Sequence, residues 1–353
     1  MRQLALAYIP VYSSVVWDGE DRLAYTLRGC VSAVRKRQSR WWLTGGVSAV
    51  FVIVFLSPYL QKKVPELIQH LVYAHRIRVP FFVDLSRPAD RSLNHTINMY
   101  LTSEVGISLG VWHTVPERLG KEAHGKDLAW YQNAFRDGSP VFIYLHGNTG
   151  TRAETHRVGV AKVLSALGYH VLVPDYRGFG DSTGEPTEAG LTTDALYLYN
   201  WVKARSGNSL VIVWGHSLGT GSVKKDSRST DVPAVMLEGT FNTARQPILV
   251  HPFTWYYWKF PGIGYFFPEP WAENKIVFPT EENLKKMTCP ILFLHAEDDQ
   301  IQVAQQLYEV AASAQNAERV KLVSFDGSLG YLHNGLYRDP LLPDIIKKFV
   351  LSL

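Results

Sequence analysis

The stretch LVIVWGHSLGTG at residues 210–221 decides the fold. Residues 210–214 form an unbroken apolar run, the composition of a strand buried inside a sheet. Gly215-His216-Ser217-Leu218-Gly219 follows without a gap. The pattern is G-x-S-x-G, in which a serine rides a sharp strand-to-helix turn with its hydroxyl held above the sheet. Glycine on either side leaves no Cβ to collide with neighbouring strands. A chance match in a Gly-rich loop would not sit directly behind an apolar strand.

On both sides of this motif the chain alternates strands and helices. Residues 97–102 and 108–113 read as a strand pair joined through Val105-Gly106, a turn signal. Residues 121–136 are polar and read as a loop or excursion. VFIYL at 141–145 is a buried-strand run, residues 157–167 carry helical spacing up to Gly168, and 171–173 form the next strand. Residues 187–205 read as a long helix with Thr187 as its N-cap. Beyond the motif, 234–237, 291–294 and 320–325 are further buried strands, and 303–314 and 342–351 are helices. Strands alternating with helices predict an α/β class, a mostly parallel sheet covered on both faces.

A serine on such a turn needs a base and an acid that orients the base. With this motif the chain order is serine, acid, histidine. The strand at 291–294 runs into His295-Ala296-Glu297-Asp298-Asp299, and an acid after that strand suits the role. Asp299 is the preferred carboxylate, Asp298 its adjacent rival, and Glu238, ending the preceding strand, the outside alternative. Glu297 and Asp298 otherwise read as solvated loop charges. His333 is the only histidine after His295 and lies behind the last strand, so order and uniqueness single it out as the base. A tetrahedral oxyanion at Ser217 needs two backbone N–H donors. One is that of Leu218; the other is assigned to Asn148, with Thr149 the near alternative, in His146-Gly147-Asn148-Thr149-Gly150. His146 reads as a brace for that loop. Such chemistry needs no metal and no organic cofactor.

Four motifs together carry a family resemblance. Tyr144-Leu145-His146-Gly147-Asn148, Asp175-Tyr176-Arg177-Gly178-Phe179-Gly180-Asp181-Ser182, the segment Gly215 to Gly221, and Leu294-His295-Ala296-Glu297-Asp298-Asp299 resemble the α/β-hydrolase superfamily. Trp112-His113-Thr114-Val115-Pro116, Gly125-Lys126-Asp127 and Lys203-Ala204-Arg205-Ser206-Gly207 narrow this to its membrane-anchored lysophosphatidylserine and monoacylglycerol lipases. The resemblance covers residues 41–353. It implies a single-pass protein of the endoplasmic reticulum membrane with a lumenal domain. It also implies serine hydrolysis of lysophosphatidylserine and monoacylglycerols, including 2-arachidonoylglycerol. The nucleophile, acid and base of the family fall on Ser217, Asp299 and His333.

The N-terminal region agrees with a membrane anchor. Residues 41–60, WWLTGGVSAVFVIVFLSPYL, are uncharged. As a helix they would cover about 30 Å, the thickness of a bilayer core. Arg35, Lys36, Arg37 and Arg40 precede them, Lys62 and Lys63 follow with Glu66 close by, and Trp41, Trp42 and Tyr59 sit at the ends. The positive excess on the N-terminal side predicts a cytoplasmic tail at 1–40, a signal-anchor helix at 41–60, a lumenal linker at 61–93 and a lumenal α/β-hydrolase domain at 94–353. About forty residues before the run, and no Ala-x-Ala site, argue against a cleaved signal. Asn94-His95-Thr96 is the one N-x-T glycosylation acceptor, on the side expected to be lumenal.

Composition supports the same class. The 353 residues are 46% hydrophobic, enough for a sizeable core and too apolar for a disordered chain. A net charge of +4 gives little footing for nucleic-acid binding. Two cysteines, Cys30 and Cys289, exclude a disulfide framework and any multi-Cys zinc site. No repeat or low-complexity tract interrupts the chain.

Residues 240–287 break the strand-helix rhythm and are crowded with aromatics, among them Trp255, Trp258, Tyr265 and Trp271. They are expected to form a lid that lines an acyl pocket, touches the bilayer, or packs on the core, with Arg245 and Lys259 near any anionic head group. Residues 222–231 depart from the family: they are short and polar where it has a longer apolar helix, with Val223 the one clear apolar anchor. Weakened stability is the expected result. Two alternatives stay open: an inactive membrane-tethered homologue, and a thioesterase or peptidase on the same scaffold. Oligomeric state is not legible.

Overall fold

A computed structural model of the chain describes residues 69–70, 72–223, 232–243, 277–301, 303–314 and 317–353. Its apolar runs become strands: β1 Thr96–Glu104, β2 Ile107–Thr114, β3 Val141–Leu145, β4 His170–Pro174, β5 Val211–His216, β6 Ala234–Glu238, β7 Ile291–Ala296 and β8 Val320–Phe325. Among the described residues they form one sheet in the order β1-β2-β4-β3-β5-β6-β7-β8. β1 and β2 are antiparallel, β2 meets β4 antiparallel, and all later pairings are parallel. Non-consecutive neighbours require crossovers, which the helices supply.

The helices used below are α1 Leu128–Ala134, α2 Thr155–Ala166, α3 Glu188–Lys203, α4 Leu218–Ser222, α5 Ala304–Ala314 and α6 Leu342–Leu351; short helices also form at Gly120–Ala123 and Thr280–Lys286. Side chains alternate across a strand, so each central strand feeds two cores. Val141, Ile143, Val211 and Val213 pack with Leu191, Leu198 and Val202 of α3 and Leu307 of α5. Phe142, Tyr144, Ile212 and Trp214 pack with Val158 and Leu164 of α2 and Ile346 and Phe349 of α6. The buried strands are therefore apolar without interruption, because neither face meets water. Thr187 caps α3 as expected, its hydroxyl accepting from the Gly190 N–H at 3.0 Å.

The structure departs from the sequence reading in places. The expected loop at 121–136 contains α1, whose N-cap Asp127 accepts the Trp130 N–H at 2.9 Å. There Trp130 and Ala134 pack against a small core of Val115, Ala123 and Tyr131. The expected linker at 61–93 packs on the hydrolase core over much of its described length: Val72, Tyr73 and Leu93 are buried. There the Trp112 indole donates to the Leu85 carbonyl at 2.8 Å, and Ala74 bridges Thr149. Residues 1–60 lie outside the described residues; among those described, no helix is long and apolar enough to cross a membrane. Most of the expected lid also lies outside, but its ends belong to the core through the buried Phe241, Phe278, Leu284 and Met287. Helix α4 closes at Ser222 and Val223 is buried, while the polar stretch 224–231 lies outside the described residues.

Register levels the strand ends that carry the motifs. Leu145 of β3 pairs with Gly215 of β5, and Gly215 and His216 pair with Leu237 and Glu238 of β6. The loops after β3, β5, β6, β7 and β8 thus open at one edge, the carboxyl end of the parallel strands, where this architecture places its sites.

Candidate active site

Ser217 sits in the left-handed region at φ 50, ψ −117, between β5 and α4. A non-glycine residue there is strained, and the surroundings hold it. Its N–H donates to the Glu238 carbonyl at 2.9 Å, and its own carbonyl accepts from the Thr220 N–H at 2.9 Å and the Thr220 hydroxyl at 2.7 Å. The flanking glycines have different reasons. A Cβ on Gly219 would lie 2.0 Å from the Leu145 carbonyl oxygen, a clash with the neighbouring strand. A Cβ on Gly215 would lie 2.8 Å from the Gly219 carbonyl oxygen, so the elbow collides with itself rather than with another strand.

Of the three acids weighed from sequence, Asp299 is the one brought to His333. The His333 ring donates through Nδ1 to Asp299 Oδ2 at 2.8 Å, and the Ile301 N–H donates to Oδ1 at 3.0 Å. Asp299 is 3% exposed and His333 faces the opening with 28% of its side chain. Burial alone would raise the Asp299 carboxyl, but the hydrogen bond and charge of His333 and the Ile301 N–H outweigh it and leave it below the usual range. Asp298 is not a solvated loop charge: its Oδ2 accepts the Leu332 N–H at 3.0 Å and so braces the His333 loop. Glu238 faces elsewhere, accepting the Trp214 indole N–H at 3.1 Å. Burial, with the Asp299 charge, pushes its carboxyl up to about 8, so near neutral pH it holds its proton.

The loop after β3 presses on the serine. A Cβ on Gly147 would lie 3.3 Å from Ser217 Cβ, so the residue that precedes Asn148 lies against the nucleophile. Leu218 opens α4 directly after it. His146 is buried, its Nδ1 donating to the Gly147 carbonyl at 2.7 Å and its Nε2 accepting the Tyr176 N–H at 3.3 Å, the brace expected of it. Burial, with the Arg157 charge, keeps its ring neutral. Behind this loop Arg152, fully buried, donates to Asp175 at 2.6 Å and to Asp181 at 2.6 Å. Both acids belong to the Asp175-to-Ser182 motif, which ties the loop after β4 to the loop after β3.

Three residues matter that sequence reading did not single out. His216 is buried, and its Nε2 donates to the His333 carbonyl at 2.9 Å, latching the base's backbone to the elbow. Burial and the nearby His333 push it down to about 3, so it stays neutral and keeps that donor. Its only sequence signal is its place as the first x of G-x-S-x-G. Gly239 has φ +60, and a Cβ there would lie 2.6 Å from His333 Cε1, so only glycine leaves room for the ring. Arg157, in the first turn of α2 and 1% exposed, donates to the Thr149 carbonyl and holds the loop from behind.

Asn94 is exposed in a turn just before β1. Among the described residues, no three His, Cys, Asp or Glu side chains are grouped to hold a metal ion.

Comparison with known proteins adds a family. A model of the alpha/beta hydrolase fold matches residues 140–223. The chain is 44% identical over 326 residues to the lysophosphatidylserine lipase ABHD12 of Danio rerio, covering 90% of this chain and 84% of that one. It is 41% identical over 345 residues to protein ABHD12B of Homo sapiens, covering 95% and 91%. Among solved structures, an alpha-beta hydrolase from Vibrio vulnificus superposes with a TM-score of 0.58 at 16% identity, covering 81% of this chain and 92% of that one, which speaks to the fold alone.

Proposed function

This chain belongs to the ABHD12 family of α/β-hydrolases and is a serine ester hydrolase, and we propose that it cleaves the acyl ester of lysophosphatidylserine and of monoacylglycerols, including 2-arachidonoylglycerol. The products are a free fatty acid and the glycerol-containing head group. The observation that carries the reading is the 2.8 Å bond from His333 to a buried Asp299 at the same sheet edge as a strained Ser217.

The proposed steps use these residues as follows. Ser217 Oγ attacks the ester carbonyl while His333 Nε2 takes its proton. Asp299, ionised and fixed by Ile301, holds Nδ1–H and stabilises the imidazolium. The N–H groups of Leu218 and Asn148 receive the oxyanion, in a site that Gly147 leaves open for close approach. His333 then gives the proton to the leaving glycerol oxygen. Water, activated by the same ring, hydrolyses the acyl-enzyme and regenerates Ser217.

The same reading includes a membrane setting. A signal-anchor helix at 41–60 tethers a lumen-facing hydrolase, the part of 240–287 between its core-packed ends forms a lid over the acyl pocket, and Asn94 carries glycan. Its exposed turn leaves the acceptor accessible. Purified full-length chain should release fatty acid from lysophosphatidylserine and monoacylglycerol faster than it cleaves a peptide or a thioester of the same acyl chain. Preference for the peptide or thioester would move the function within the scaffold, and no turnover of any of them would mean an inactive homologue. Endoglycosidase should shift the wild-type band and leave Asn94→Gln unmoved; no shift in either would contradict the lumenal side.

A further inference from the structure

The loop at residues 76–82 puts its apolar residues where folding has no use for them. Ile77 is 50% exposed, Phe81 65% and Phe82 107%, so two adjacent aromatic rings, 6.4 Å apart, stand in water at a loop tip. Phe82 also has φ +61, a backbone region that L side chains rarely adopt. Outward presentation therefore costs the chain twice, in exposed ring and in backbone. Arg76 and Arg78 flank Ile77, both exposed, and neither makes an ion pair among the described residues. The nearest acid along the chain, Asp84, is already engaged by the Ser86 N–H at 2.9 Å and hydroxyl at 2.6 Å.

The same loop is wired to the site. The Gly150 N–H donates to the Ile77 carbonyl at 3.0 Å and the Thr151 N–H to the Val79 carbonyl at 2.9 Å, while Ala74 bridges Thr149. These are the residues that directly follow Gly147 and Asn148 beside Ser217. Exposed aromatics with unpaired arginines are the chemistry of a bilayer interface: rings enter the acyl boundary and cations meet anionic head groups. We propose that residues 76–82 are a membrane-docking loop that seats the nucleophile's edge of the domain against the bilayer surface that carries its anionic lysolipid substrate. The proposal rests on the lipase reading above and adds the element that presents the domain to its substrate's surface.

The test uses full-length chain in phosphatidylcholine vesicles with or without phosphatidylglycerol, an anionic lipid lacking the serine head group. The double variant Phe81→Ser/Phe82→Ser should raise the KM for vesicle-borne lysophosphatidylserine at least about fivefold and leave kcat and the hydrolysis of a soluble short-chain ester unchanged. Arg76→Gln/Arg78→Gln should abolish the advantage of vesicles containing phosphatidylglycerol. In parallel, Phe82→Cys in a chain with Cys30 and Cys289 replaced by Ser carries an environment-sensitive fluorophore, which should shift to the blue in anionic vesicles. Equal loss on vesicle and soluble substrates would make the loop merely structural and overturn the proposal. So would a label that stays in water, or one protected only by self-association of the chain. If the wild type cleaves the soluble ester but not lysophosphatidylserine, the substrate reading fails while the label at residue 82 still decides the docking.

Discussion

Asp299→Asn should remove most activity and leave the fold in place. Asp299 uses both oxygens, Oδ2 for the His333 Nδ1–H and Oδ1 for the Ile301 N–H. Asparagine keeps one acceptor. If it serves Ile301, the amide NH₂ faces His333 and forces Nδ1 to accept, which puts the ring proton on Nε2. The base then has no lone pair for the Ser217 proton. In a serine protease the corresponding change costs about 10⁴ in kcat, near 5.5 kcal/mol at about 1.36 kcal/mol per decade. Asp298→Asn should cost less than about tenfold, because its amide oxygen can still accept the Leu332 N–H and a single neutral hydrogen bond is worth about 1 kcal/mol. Glu238→Gln should be near wild type at neutral pH, since Gln can accept from Trp214 as the protonated acid does. The assay is the second-order rate of fluorophosphonate inactivation beside initial rates on lysophosphatidylserine, with thermal melts to confirm folding. Comparable losses at Asp298 and Asp299, or a larger loss at Glu238, would refute the argument.

Other positions give independent checks. Gly239→Ala forces a Cβ to 2.6 Å from His333 Cε1, and a ring displaced by about 1 Å should lose about a hundredfold in kcat, read on a soluble ester. Glu238 has a folded-state pKa raised to about 8 against an ordinary value near 4.5. The fold then binds the extra proton between those values, so stability is full below the lower one and is lost as pH rises toward about 8. The melting temperature of Glu238→Gln should gain on that of the wild type across this window and level off above it; a constant difference would show that the carboxyl does not titrate there. Replacing the polar residues 224–231 with an apolar-faced helical segment should add two or so buried side chains at about 1.5–3 kcal/mol each and raise the melting temperature by roughly 5 °C or more. No gain would mean the chain does not lack burial behind Val223.

Local patterning made much of this molecule readable. The run VFIYL coincides with β3, the apolar stretch 320–325 with β8 and 342–351 with α6, because each is specified by short-range periodicity. Chain order made Asp299 and His333 candidates before any geometry. What escaped depends on contacts between distant residues. His216 and the His333 carbonyl are 117 positions apart, and nothing in either residue's neighbours signals the bond. Asp298 and Asp299 look alike in sequence, and only the turn between β7 and the His333 loop sends one to the ring and the other to a backbone N–H. Residues 61–93 read as a linker because their few apolar anchors lack periodicity, yet Tyr73 and Leu93 are each 1% exposed.

Attack of Ser217 on a lysophospholipid ester can be read directly. Full-length chain is labelled with a fluorophosphonate in the presence and absence of lysophosphatidylserine, digested, and the adduct mapped by mass spectrometry. One adduct is expected, on Ser217, slowed in proportion to the lysolipid present and absent from Ser217→Ala. An adduct on another residue, persistence in Ser217→Ala, or labelling indifferent to lysophosphatidylserine would contradict it.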